Sequence, residues 1–100
     1  MVLKENVTID REAIAEFCRK NHIRKLSLFG SVLTDYFRPD SDVDMLVEFE
    51  PDAVVGFSFV RIERQLGELI GRRVDLGTVD GLSKYIRGKV LASAQVIYGN

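Results

Sequence analysis

The segment from Asp42 to Phe49 places the strongest constraint on the fold of this chain. Its four odd-numbered positions are apolar, and three of its four even-numbered positions are acidic. Alternation with a period of two is typical of a β-strand that buries one face. Because the buried face is apolar along its whole length, we expect this strand to be central in a sheet that is covered by helices.

Helical and extended patterns alternate along the chain on both sides of this strand. Apolar residues at helical spacing predict helices at Asp10–Asn21, Ser31–Phe37, Ser58–Ile70 and Leu82–Ala94. Extended patterns predict further strands at Ile23–Phe29 and Arg73–Gly77, and a last extended segment at Gln95–Tyr98. This order predicts an α/β fold, in which helices pack on a sheet.

Composition limits the classes of function. The chain has 100 residues, of which 46% are hydrophobic and 29% charged, so we expect one globular domain over residues 1–100. The 14 basic and 15 acidic residues give a net charge of −1, which disfavours a long nucleic-acid substrate. No apolar run reaches membrane-spanning length, and the N-terminal residues do not read as a signal peptide. We therefore expect a cytoplasmic protein without a membrane partner.

A glycine and a serine follow the predicted strand that ends at Phe29. Gly30 allows a ligand to approach the backbone because it has no side chain. Ser31 adds a hydroxyl group, and a helix that begins here would offer free N–H groups to a phosphate. The alternative interpretation is a tight turn with a serine that caps a helix.

Three aspartates are the candidate metal ligands. Asp42 and Asp44 lie on the same side of the central strand, about 7 Å apart along the chain. Carboxylates held this close repel each other, and Mg²⁺ is the cation that suits them best. Asp75 would complete the cluster if its strand is a neighbour of the central one. The alternatives are a solvent-facing pair at a strand end and an exposed charge on an edge strand.

The combination of these motifs resembles the minimal nucleotidyltransferase (MNT) family of the polymerase β-like nucleotidyltransferase superfamily. The resemblance is carried by Gly30-Ser31, a ten-residue spacer, Asp42-Val43-Asp44 and the segment Gly71–Leu76. It runs from about residue 26 to residue 98, with the motif core at residues 26–77, and implies a small nucleotidyltransferase fold with a short mixed sheet. One departure stands at residues 32–37, where family members often carry basic residues and this chain has none.

The resemblance implies an antitoxin of a toxin–antitoxin system. Such a protein transfers AMP from ATP to a hydroxyl group, typically of a tyrosine, in a partner HEPN ribonuclease toxin, and so inactivates the toxin. By the same resemblance, Gly30 and Ser31 bind the phosphates of ATP, and Asp42, Asp44 and Asp75 hold two Mg²⁺ ions, with Asp75 the best candidate for a general base. The chain could form an oligomer with copies of itself or with the toxin.

Two other functions stay open. A non-catalytic antitoxin would neutralise its toxin by binding and occlusion, which the unusual residues 32–37 favour and the complete set of aspartates disfavours. A nucleotidyltransferase for a small molecule such as an aminoglycoside needs an acceptor pocket, and a chain of this length leaves little room to build one.

Overall fold

Helices and strands alternate along the chain in the computed structural model, which describes residues 2–4 and 7–99. The strands are β1 (Val2–Lys4), β2 (Val7–Thr8), β3 (Ile23–Phe29), β4 (Val43–Phe49), β5 (Val74–Gly77) and β6 (Gln95–Tyr98). The α-helices are α1 (Arg11–Lys20), α2 (Ser58–Ile70) and α3 (Lys84–Ser93). A short 3-10 helix, Gly30–Leu33, follows β3.

Four strands form a mixed sheet in the order β5-β4-β3-β6. The pairs β3–β4 and β3–β6 are antiparallel, and β4–β5 is parallel with α2 as the connection. Strand β4 is thus interior, which confirms the prediction from its alternating pattern. The predicted fold class, a short mixed sheet with helices packed on it, is also confirmed. Strands β1 and β2 form a separate antiparallel pair that the sequence patterns did not predict.

Helices α1 and α2 follow the sequence signals closely. The Asp10 side chain caps α1, since its Oδ1 accepts hydrogen bonds from the backbone N–H groups of Glu12 and Ala13. Helix α2 ends at Gly71, whose φ of 76° is the left-handed conformation that glycine adopts most easily. The predicted boundaries of both helices agree with the structure to within one residue.

The apolar face of β4 forms the centre of the core. Val43, Met45 and Val47 are almost completely buried, and apolar side chains from several elements surround them. Those from α1 and α2 are Ile14, Cys18, Ile62, Leu66 and Ile70. Helix α3 contributes no buried residue. Burial of such an apolar face is the main source of stability in a small domain.

The helix predicted from Ser31 to Phe37 is wrong. Only the four residues of the 3-10 helix form, because Thr34 takes an extended conformation with φ −127° and ψ 171°. The hydroxyl group of Thr34 donates a hydrogen bond to the Ser31 carbonyl at 2.8 Å, which ends the helix locally. Residues 34–42 then run without helix or strand to β4. Within residues 2–4 and 7–99, no helix has the length and apolar character to cross a membrane.

Candidate active site

Asp44 and Asp75 lie directly opposite each other in neighbouring strands. The register of the parallel pair β4–β5 matches Asp44 with Asp75 and, on either side, Val43 with Val74 and Met45 with Leu76. The flanking valines are buried, so the two carboxylates leave the sheet on the face away from the main core. The backbone ladder therefore places these two carboxylates side by side.

Gly30 lies against the Asp44 side chain. Its φ of +77° is one that residues with a Cβ rarely adopt. A Cβ at this position would clash with Oδ2 of Asp44 and stand 3.3 Å from its Cγ. The position requires glycine for two separate reasons, and the turn after β3 is in contact with Asp44.

Ser31 follows Gly30 in the 3-10 helix after β3, but it does not start a long helix. Its carbonyl oxygen accepts hydrogen bonds from the backbone N–H and from the hydroxyl group of Thr34, at 2.9 and 2.8 Å. A four-residue 3-10 helix has few aligned peptide dipoles. The expected helix-dipole contribution to phosphate binding is therefore small, and backbone N–H groups and the Ser31 hydroxyl remain as donors.

The three aspartates interact electrostatically. Burial raises the pKa of Asp44 above its ordinary value, and the negative charges of Asp75 and Asp42 raise this pKa further. Asp42 lies one residue before β4, with its Oδ1 3.9 Å from Nε of Arg73. That contact is long and the Arg73 side chain is 83% exposed, so it neutralises Asp42 only weakly. A local excess of negative charge results.

The chemistry of these side chains fits Mg²⁺. Carboxylate oxygens are its preferred protein ligands, and a bound cation would remove the mutual repulsion that raises the pKa of Asp44. In the described part of the chain, no three side chains of aspartate, glutamate, histidine or cysteine are already arranged closely enough to hold a metal ion. Two of the three carboxylates are fixed by strand register. The third, Asp42, lies just outside β4, so strand register does not fix its side chain.

Two contacts near the site were not predicted from the sequence. The guanidinium group of Arg72 lies over the Phe37 ring, and Oε2 of Glu63 accepts a hydrogen bond from Leu76 N at 2.8 Å. The second contact caps a backbone donor of β5, the edge strand that carries Asp75. In the sequence, Arg72 and its neighbour Arg73 resemble ordinary solvated charges at a helix end. No periodic pattern marks either contact, since both join residues far apart in the chain.

Comparisons with known proteins identify the family of this chain. Residues 11–97 match the family model described as "Nucleotidyltransferase domain". The protein adenylyltransferase MntA of Thermococcus cleftensis is 37% identical to this chain over 76 residues, which are 76% of this chain and 74% of the relative.

Solved structures show the same architecture. A structure described as a minimal nucleotidyltransferase superposes with a TM-score of 0.69 at 36% identity and covers 84% of this chain and 85% of its own. An MNT antitoxin in complex with a tri-AMPylated HEPN toxin from Shewanella oneidensis has a TM-score of 0.65 at 21% identity, over 99% of this chain and 74% of that one. At that identity the likeness supports the fold alone. The family model and the relatives above 30% identity together show that this chain belongs to the nucleotidyltransferase domain family, within its minimal nucleotidyltransferase branch.

Proposed function

We propose that this nucleotidyltransferase is an antitoxin that transfers AMP from ATP to a tyrosine hydroxyl of a partner HEPN toxin. One observation carries the proposal: Asp44 and Asp75 lie opposite each other in β4 and β5, and Gly30 is in contact with Asp44. A nucleotide whose phosphates lie at Gly30 therefore has its reacting end beside both carboxylates. We further propose that residues 1–100 act as one domain in the cytoplasm.

The residues take distinct roles in the proposed reaction. The backbone at Gly30 and the hydroxyl group of Ser31 bind the β- and γ-phosphates. The tyrosine oxygen attacks the α-phosphorus in line, the bond from that phosphorus to the bridging oxygen breaks, and pyrophosphate leaves. Asp75 accepts the hydroxyl proton or helps to orient the hydroxyl for its loss. Catalysis comes from positioning and charge neutralisation.

Asp42, Asp44 and Asp75 are the residues that would hold two Mg²⁺ ions. When bound, these ions would offset the charge of the triphosphate and lower the pKa of the attacking hydroxyl group. The raised pKa of Asp44 supports this assignment, because it arises partly from the carboxylates that would share the ions. Chelation by EDTA is then expected to stop transfer without unfolding the protein.

The partner is inferred from the relatives. The MntA relative is a protein adenylyltransferase, and the Shewanella complex contains an AMPylated HEPN toxin with its MNT antitoxin. A protein acceptor that brings its own tyrosine needs no acceptor-binding domain on this chain. The proposed assembly is a hetero-oligomer with the toxin.

Turnover tests the proposal. The partner toxin is incubated with one-twentieth of its molar amount of this protein, with ATP and Mg²⁺, and intact-mass spectrometry follows the addition of AMP. An enzyme modifies the whole toxin pool, and the toxin stays inactive after this protein has been removed. Omission of ATP is the control. Protection that needs equimolar protein and ends on its removal would replace the proposal with occlusion.

Occlusion is the second candidate because α3 presents apolar side chains to solvent. Tyr85 is 84% exposed, and Ile86 and Leu91 are 47% and 49% exposed. Exposed apolar side chains on one helix can form part of a protein-binding surface. Such a surface would serve an enzyme that docks on its toxin as well as an inhibitor that stays bound, so the turnover experiment distinguishes the two.

A further inference from the structure

Arg72 connects the end of α2 to the loop that precedes Asp42. Its Nη2 donates a hydrogen bond to the Arg38 carbonyl oxygen at 2.6 Å. Its Cζ also lies 4.6 Å from the centroid of the Phe37 ring, within the range of a cation–π interaction. Phe37 packs in turn against the apolar core. One side chain therefore holds both a ring and a backbone carbonyl of the loop.

The Arg38 carbonyl belongs to a turn that ends immediately before Asp42. Ser41 N donates to this same oxygen at 3.0 Å, and Arg38 N donates to Oγ of Ser41 at 3.0 Å. Both hydrogen bonds join Arg38 to Ser41 and so close the turn. The hydrogen bond from Arg72 joins the closed turn to the connection between α2 and β5.

The residue after Arg72 holds the other side of Asp42. The Arg73 carbonyl accepts a hydrogen bond from Val43 N at 2.9 Å, and its side chain lies 3.9 Å from Asp42. Asp42 thus stands between a turn held by Arg72 and a strand end held by the Arg73 backbone. The same short connection leads two residues later to Asp75.

We propose that Arg72 is a positioning residue for nucleotide transfer, which holds the turn at residues 38–41 so that Asp42 is presented beside Asp44. The inference rests on the proposed function, in which Asp42 is a metal ligand. Residues 34–42 contain no helix or strand, so turn hydrogen bonds and side-chain contacts define their path. The start of this loop is tied to Ser31 through Thr34, and its end is tied through Arg72.

The experiment uses the whole chain, four single variants and the double variant of Arg72→Gln with Phe37→Leu. Arg72→Gln removes the cation and the geometry of the guanidinium group, and Arg72→Lys keeps the charge and a donor. Phe37→Leu removes the ring that Arg72 covers. The matched control is Arg61→Gln, because Arg61 is an exposed arginine of α2 outside the site. The readouts are hydrogen exchange of the Ser41 amide in metal-free protein, Mg²⁺ affinity, the kinetics of transfer, and Tm.

The positioning role predicts a specific set of results. Arg72→Gln speeds hydrogen exchange of the Ser41 amide about tenfold and lowers kcat about tenfold. Mg²⁺ binds more weakly, and the KM for ATP changes by less than about twofold. Arg72→Lys restores part of the protection of the Ser41 amide and part of kcat. Phe37→Leu has the same effects, and the double variant is no worse than either single one because the two residues form one contact. Arg61→Gln behaves as wild type, and Tm falls by no more than a few degrees in Arg72→Gln.

Other results overturn the role. If hydrogen exchange of the Ser41 amide is unchanged in Arg72→Gln, Arg72 does not hold the turn at residues 38–41. If the KM for ATP rises and kcat is unchanged, Arg72 is a direct phosphate ligand instead. Additive effects of Arg72→Gln and Phe37→Leu separate the two residues. If the wild-type protein transfers no AMP, the proposed function fails by itself. Faster Ser41 exchange with weaker Mg²⁺ binding then still supports the positioning role, and unchanged Mg²⁺ binding contradicts it.

Discussion

Strands β4 and β5 and helix α3 are held in the molecule in opposite ways. The two strands are paired in register, and their Val43, Met45, Val74 and Leu76 side chains are 5% exposed or less. Helix α3 buries no residue completely and begins at a side-chain cap, where Oγ of Ser83 accepts a hydrogen bond from Tyr85 N. The pairing of β4 with β5 sets the position of Asp44 relative to Asp75.

The difference teaches where chemistry and stability are coupled. Any change that shifts β4 against β5 moves the two carboxylates as well, because one ladder serves both purposes. A change on the outer face of α3 leaves that ladder intact. Substitutions in the first region should affect transfer and folding together, whereas those in the second should leave transfer unchanged unless they touch a partner.

The largest effect is expected from removing two carboxylates of the site. Asp42→Asn together with Asp44→Asn should reduce AMP transfer by about a thousandfold or more, because neutral amides do not offset a cation's charge. The measurement is transfer from radiolabelled ATP to the toxin, with circular dichroism to verify the fold. The control pair, Asp52→Asn with Asp80→Asn, removes the same charge from exposed loop positions and should transfer normally. Undiminished transfer by the first pair would refute the assigned chemistry.

Replacement of glycine by alanine should have opposite effects on stability beside the strand pair and in α3. Gly30→Ala forces a Cβ into a left-handed backbone and against Asp44, which should cost about 2–4 kcal/mol and most of the transfer activity. Gly88→Ala in α3 places a Cβ in open space and should stabilise the protein by about 0.4–1 kcal/mol. Urea denaturation measures both. Equal effects would show that the turn after β3 is less constrained than its contact with Asp44 implies.

Leucine truncation gives a second contrast. Leu66 of α2 is fully buried, so Leu66→Ala should cost about 2–5 kcal/mol of unfolding free energy. Leu91 of α3 is 49% exposed, and Leu91→Ala should change stability by less than about 0.5 kcal/mol. A large loss in Leu91→Ala would mean that α3 contributes to the core more than its exposure indicates.

The contrast between the regions also explains which features were predictable from the sequence. The alternation in β4, the Asp10 cap and the Gly71 stop act over a few residues, so these elements could be predicted closely. The helix predicted at Ser31–Phe37 failed because the hydroxyl group of Thr34 competes for the Ser31 carbonyl, which no apolar pattern encodes.

For the candidate site, the sequence could suggest the residues but not their arrangement. The spacing of Gly30, Ser31 and the three aspartates made them candidates, but strand order and register depend on contacts between distant parts of the chain. The contact of Arg72 with Phe37 and Arg38 is of the same kind, since it joins residues more than thirty positions apart. Charge and motif spacing cannot reveal which loop a solvated-looking arginine will hold.

The smallest expected effect concerns Asp44 alone, and it is a gain in stability. Burial and the charges of Asp75 and Asp42 raise its folded-state pKa, so the folded state binds this proton more tightly than the unfolded state does. Stability is therefore highest when Asp44 is protonated, and it falls as pH rises from the unfolded pKa through the folded pKa. Asp44→Asn removes that loss and should raise the Tm of the metal-free protein at pH 7. Thermal unfolding in EDTA should show the gain at pH 7 and its disappearance below the unfolded pKa of about 3.9. The control is Asp52→Asn, which removes a carboxylate from an exposed loop position. A variant equally stabilised at both pH values would mean that the gain comes from packing of the amide rather than from removal of a charge that Asp75 and Asp42 repel.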